Sequence, residues 1–247
     1  MLTGLRAALR FLTRIPVPGP ATVAADLPGA VAWFPLVGAL LGAALAGLFL
    51  GALAWWPPAV AAALAIAGGL LLSGGFHEDA VGDAADGLGG GSDRERVLAI
   101  MKDSRVGAYG VMGLWVLLTL RFAVLGACAA RPALQVVAVF ALAAAWGRWT
   151  AAPLLRWLPA LGEGLAKDIR NDGRALPGVV ASGFALAAAG GAWWVGVPHV
   201  PVAVGVAVAV TALWGLYLHL RLGGQSGDLL GAGNQLVEAA VLLAVIA

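Results

Sequence analysis

An all-α, polytopic integral membrane bundle of about seven transmembrane helices is the fold class this sequence predicts, and three observations carry it. The chain of 247 residues is 61% hydrophobic and only 11% charged, against roughly 25% charged in an average soluble domain. Mean hydropathy is +0.92. Its apolar residues gather into runs near the ~20 residues a helix needs to cross a bilayer. The basic residues fall almost entirely between alternate runs, the asymmetry that orients a membrane protein. A net charge of +2 is too small to suggest nucleic acid as a partner.

Taken in order, the chain opens with MLTGLRAALRFLTRIPVP, where Arg6, Arg10 and Arg14 recur at every fourth position. This lacks the uninterrupted core and cleavage site of a signal peptide. It predicts a short amphipathic helix lying on the membrane, ended by Pro16 and Pro18. Seven spans follow, at about Val31–Ala54, Ala59–Phe76, Ala108–Ala129, Ala133–Trp157, Leu176–Val195, Val200–Leu220 and Leu229–Ala247. Prolines in WWPP (55–58), Arg131-Pro132 and VPHVP (197–201) end one helix and permit the next to begin.

With a cytoplasmic N-terminus, Arg6, Arg10, Arg14, the loops 77–107 and 157–175 and Arg221 all lie inside. Only Arg131 lies in an opposite turn, and seven spans place the C-terminus outside. The 36 glycines allow the close helix approach that holds bundles together in lipid. The single cysteine, Cys128, permits no intrachain disulfide and no thiolate metal cage, and reads as a small buried hydrophobe. A single domain, 1–247, is expected.

In so apolar a chain, HEDAVGDAADG (77–87) concentrates four acids in eleven residues. On a helix, Asp79, Asp83 and Asp86 stand at i, i+4 and i+7, within roughly 60° around the axis. Like charges at that spacing repel, and a bound divalent cation reverses the effect. Oxygen-only ligands favour a hard ion, magnesium when phosphate oxygens complete the shell. His77 reads equally as a ligand, a proton carrier or a polar anchor at a span boundary. A merely solvated charged loop is the plain alternative; the shared face of the aspartates weighs against it.

Positive charge follows in a separate block, SDRERVLAIMKDSRVGAYG (92–110). Ser92 or Asp93 can cap a helix there, with Glu95 at capping-box spacing from Ser92, and Val97, Leu98 and Met101 form an apolar stripe. Lys102 and Arg105 then offer themselves to phosphate, with Asp103 and Ser104 between them. Acids for metal followed by bases for phosphate is the layout of phosphoryl transfer. A second polar cluster, GGQSGDLLGAGNQLVE (223–238), opens the last span. Asp228 or Ser226 can cap that helix. Glu238 lies ~15 Å further along, at a depth where ionisable groups are paired or functional. Arg148, inside the fourth span, is its expected partner, as a structural ion pair or as part of a substrate contact.

These stretches resemble the cobalamin synthase family, the adenosylcobinamide-GDP ribazoletransferases. The resemblance rests on FLTRIPVP (11–18), WFPLVGALLG (33–42), GGFHEDAVGDAADGLGGG with ERVLAIMKDSRVGAYGV (74–111), and GGQSGDLLGA (223–232). It implies a magnesium-dependent inner-membrane enzyme that joins adenosylcobinamide-GDP to α-ribazole or its 5′-phosphate and releases GMP. Carried over by position, Asp79, Asp83, Asp86 and Glu78 are implied as metal ligands, and Asp83, Lys102, Asp103 and Arg105 as catalytic groups, Asp103 as a candidate base. Arg14, His77, Ser104, Asp228, Arg148 and Glu238 complete the set as substrate contacts. Family members commonly carry glycine at the position of Ala80, threonine at Ser226 and often an acid at Gln235. Lys167 and Arg170 are expected to touch phosphate or corrin, or to dock other corrinoid-assembly enzymes.

Two other readings share some of these features. A CDP-alcohol phosphatidyltransferase also places aspartates on a membrane helix, but only the opening Asp83-x-x-Asp86-Gly87 of its pattern is present. A divalent cation transporter would use the same carboxylates as a path. Its site would sit near the bilayer midplane in broken helices, whereas these acids fall at the inner edge of the second expected span.

Overall fold

In a computed structural model of the chain, residues 2–162, 169 and 175–247 are described. Lys167 and Arg170 lie outside them. The described residues are helical nearly throughout. The N-terminal helix α1 (Leu2–Leu12) leads through a loop and short helical turns, including α2 (Leu27–Ala30), into α3 (Phe34–Leu53). Then follow α4 (Pro58–Ser73), α5 (Phe76–Gly90), α6 (Arg94–Met101), α7 (Ala108–Ala127), α8 (Ala133–Trp149) and α9 (Ala151–Trp157). The chain closes with α10 (Leu176–Trp194), α11 (Val200–Leu222) and α12 (Gly227–Ile246).

The membrane bundle is all-α, as the composition predicts. Among the described residues six segments are long and apolar enough to cross a membrane, and α4 with α5 forms a further pair bent by 92°. The second expected span is therefore shorter than its apolar run suggests. Gly74 and Gly75, at φ of 73° and 66°, take the left-handed conformation that favours glycine, and the chain turns sharply there. Arg14 packs across this bend: its backbone N–H donates to the Leu72 carbonyl at 2.7 Å, and a Cβ on Gly74 would strike its side chain.

Small residues set the helix spacing. The most extensive helix pair is α3 with α8, where a Cβ on Gly38 would meet the Ala144 carbonyl and one on Gly42 the Phe140 carbonyl. Such contacts stand in for the hydrophobic force that lipid does not supply between helices. One apolar cluster joins α3, α4, α7, α8, α10, α11 and α12 through Phe49, Phe140 and Leu242. A second sits at the other end, where α1, α3, α5, α6, α9, α11 and α12 meet around Leu12, Phe34, Val97, Leu154 and Leu229. Cys128 is buried in the first cluster.

The amphipathic N-terminal helix is present, but Ala7, Ala8 and Leu12 pack against protein. Its Arg10 donates to the carbonyls of Val17, Gly19 and Pro20. That guanidinium folds the proline-rich loop back on the helix.

Candidate active site

The acidic segment is helical, as its spacing predicts, and α5 packs between α7 and α12. The four acids on it have different surroundings. Asp86 is buried, and its two oxygens accept the backbone N–H groups of Gly107 at 2.6 Å and Gly110 at 2.8 Å. It supplies from another helix the cap that the start of α7 lacks. A Cβ on Gly107 or Gly110 would press on this carboxylate, so the glycines of RVGAYG are what let it approach. Glu78 accepts from Arg121 at 2.9 Å. Both oxygens of Asp86 and the Oε1 of Glu78 are thus engaged within the protein.

Asp79 is exposed and Asp83 half-buried, and neither forms an ion pair among the described residues. The charges bearing on Asp83 are Asp79, Asp228 and Asp86. Asp228 in turn feels Asp79. It is free to do so because Ser226 is the cap of α12, its hydroxyl accepting from Leu229 N–H. Packing of α12 against α5 brings the element carrying Asp228 beside the one carrying Asp79 and Asp83. Among the described residues no three His, Cys, Asp or Glu side chains stand close enough to hold an ion unaided. Magnesium does not require such a cage: one or two carboxylates suffice when substrate phosphates and waters fill the shell.

The basic block follows on α6, whose cap is Asp93, accepting from Arg96 N–H at 2.9 Å; the capping box from Ser92 is not formed. Val97 and Met101 are buried. The turn Lys102–Val106 runs from the end of α6 to the Gly107 that Asp86 holds, so Asp86 ties the basic turn to the acidic helix. Lys102, Ser104 and Arg105 are exposed there. Arg105 Nη2 meets Asp103 Oδ2 at 2.6 Å. This pairing holds the Asp103 carboxyl down at about 2 and raises Arg105. So held, Asp103 is a weak base.

Below the acidic face lies a buried ionic cluster that the sequence foreshadowed only in part. Arg148 pairs with Glu238 as expected. Arg121, in the middle of α7, joins them: it reaches Glu238 at 3.2 Å as well as Glu78, and donates to the Gln235 amide oxygen. Two guanidiniums and two carboxylates balance in charge, with the neutral Gln235 amide beside them. A lone cation in the middle of an apolar run was itself the signal for Arg121. Asn234, also missed, meets the Nε2 of buried His77 at 3.2 Å through its Nδ2.

The backbone at Gln225 bonds to Pro159 and Leu161, each at 2.8 Å, which ties the start of α12 to the loop after α9. Arg221 donates to the Gly91 and Ser92 carbonyls and fastens α11 to the end of α5. Arg14 stands exposed at the Gly74–Gly75 bend, where α5 begins. The sequence motifs thus meet at one end of the bundle.

The model of the cobalamin-5-phosphate synthase family matches residues 4–246. The chain belongs to that family. It is 38% identical to an adenosylcobinamide-GDP ribazoletransferase of Leptothrix cholodnii, over 97% of this chain and 93% of that protein. A ribazoletransferase of Ralstonia nicotianae is 39% identical over 100% of this chain and 98% of its own, and one of Vibrio cholerae 34% over 97% and 92%. No solved structure matches. Family membership over the whole chain decides against the phosphatidyltransferase and cation-transporter readings.

Proposed function

We propose that the chain is an adenosylcobinamide-GDP ribazoletransferase. It transfers the phosphocobinamide group to α-ribazole or α-ribazole 5′-phosphate, giving adenosylcobalamin or its 5′-phosphate and GMP. The observation that carries the reading is the contrast among the acids. Glu78, Asp86, Asp103 and Glu238 are engaged by arginine or backbone N–H, while Asp79 and Asp83 form no ion pair among the described residues and Asp228 lies on the helix packed against theirs. Unpaired carboxylates beside a basic turn are groups available to share a magnesium ion with substrate phosphates.

Magnesium is the ion we assign there, held by Asp79 and Asp83 with Asp228 beside them; it would neutralise charge on the substrate pyrophosphate. The chain's own groups do the rest. Lys102 and Arg105, on the turn that Asp86 anchors, stabilise phosphoryl oxygens as charge shifts to the leaving group. The ribazole hydroxyl oxygen attacks the phosphorus on the cobinamide arm. The bond from that phosphorus to the bridging oxygen breaks, and GMP departs with it. The hydroxyl proton passes to a base, and Asp103, held by Arg105, is poorly suited to take it.

We place the site on the cytoplasmic side of the inner membrane, because the sequence concentrates its basic residues in the segments that alternate on one side of the spans. Other corrinoid-assembly enzymes dock, in this reading, on those same basic loops, and charge reversal at Lys167 and Arg170 would abolish their co-purification. The deciding experiment is GMP release by purified protein in lipid, given adenosylcobinamide-GDP and α-ribazole with magnesium or with EDTA. Release with magnesium and none with EDTA supports the reading. No release under either condition from folded protein removes it.

A further inference from the structure

Three buried side chains leave polar atoms without partners around one small cavity. His77 Nδ1, Arg148 Nε and Asn234 Oδ1 have no hydrogen-bond partner among the described residues, and the three residues are 4%, 6% and 4% exposed. All three line a cavity of about 50 Å³ between α1, α3, α5, α8, α9 and α12, with Ile169 also on its wall. A buried polar atom left unpaired is costly, so three around one hole call for an occupant. The space is roomy enough for a water or a small polar group.

The donor pattern narrows the occupant. Asn234 Nδ2 donates to His77 Nε2, so the neutral imidazole carries its proton on Nδ1 and donates into the cavity. Arg148 Nε–H is a second donor, and Asn234 Oδ1 is an acceptor. Two donors and one acceptor match a group with one carbonyl, which accepts twice, and one N–H. Phe76 and Gly227, both exposed, lie on the cavity lining. Phe76 is one helical turn before Asp79 and Gly227 immediately precedes Asp228, so the cavity lies beside the acidic face.

We propose that this cavity is a subsite for a primary carboxamide on the rim of the corrinoid substrate, a role that rests on the transferase reading above. It gives the enzyme a grip on the corrinoid separate from the phosphates, and holds the substrate arm in register with Asp79 and Asp83. The subsite discriminates a carboxamide from a carboxylate, which has no N–H for Asn234 Oδ1.

The test measures equilibrium binding of adenosylcobinamide-GDP to the full chain in lipid, and KM for each substrate separately. Asn234→Leu is expected to weaken corrinoid binding at least tenfold while KM for α-ribazole stays within twofold. With the unaltered protein, a panel of corrinoids each carrying one rim amide hydrolysed to carboxylate needs no variant to fold. One member is expected to bind at least tenfold more weakly than the rest. Uniform binding across the panel overturns the subsite and leaves the cavity to water. Failure of the unaltered protein to bind or turn over any corrinoid overturns the transferase reading and the subsite with it. Normal corrinoid turnover with a uniform panel removes the subsite alone.

Discussion

Arg121 on α7 donates to Glu78 on α5 at 2.9 Å, with the two side chains only 9% and 12% exposed. This contact crosses from a spanning helix to the helix that carries the acidic face. Through Glu238 the same guanidinium reaches α12, and Arg148 links α12 to α8. The acidic helix is therefore held by charge at its root and by the Asp86 cap at its other end.

Removing Arg121 leaves Glu78 and Glu238 buried with one guanidinium between them. Arg121→Met is expected to destabilise the protein by about 3–5 kcal/mol, the range for breaking a buried pair. Thermal melting in detergent measures it. Arg121→Met with Glu78→Gln is expected to cost less than the sum of the single changes, because each exposes the other's unpaired charge.

Asp83 and Asp86 are separated by function although one turn apart. Asp83→Asn is expected to insert and melt at or above the temperature of the unaltered protein, since a repulsion is relieved, with GMP release down at least about 100-fold. Asp86→Ala is expected to lower stability by about 1–3 kcal/mol through the two N–H groups it abandons. Melting and turnover measured on the same preparations distinguish the two; near-normal turnover in Asp83→Asn would remove it from the metal site.

The Asp103 carboxyl is held at about 2 by Arg105, below the ordinary ~3.9 of an aspartate. A depressed carboxyl contributes fully above its unfolded value and loses that contribution as pH falls toward 2. Asp103 thus stays ionised throughout pH 5–9. Asp103→Asn is expected to leave the shape of the rate profile in that window unchanged. A displaced acidic limb would show that Asp103 is the titrating base.

Gly110 faces Asp86 so closely that a Cβ would collide with its carboxylate and with the Gly82 carbonyl. Gly110→Ala is expected to displace the Asp86 cap and lower the melting temperature, with turnover falling as the basic turn loses its tie to α5. Gly126→Ala, on the same helix with open space at its Cβ, is the control expected to change neither.

The sequence by itself determined the class of fold, the helical acidic face and the positions of most chemistry-bearing residues. Hydrophobic run length and charge asymmetry are one-dimensional quantities, and Asp79, Asp83 and Asp86 share a face by helical period alone. It also implied that Glu238 needs a cation, because lipid solvates no charge. Tertiary structure alone decided which acids remain free. Whether a carboxylate meets Arg121, the N–H groups of Gly107 and Gly110, or another aspartate depends on residues 20 to 160 positions away, and no local pattern encodes those distances. The same holds for the bend at Gly74–Gly75, where an apolar run long enough to continue is interrupted by two left-handed glycines and an arginine packed against them. It holds too for Asn234 beside His77, which meet only because α5 and α12 pack face to face.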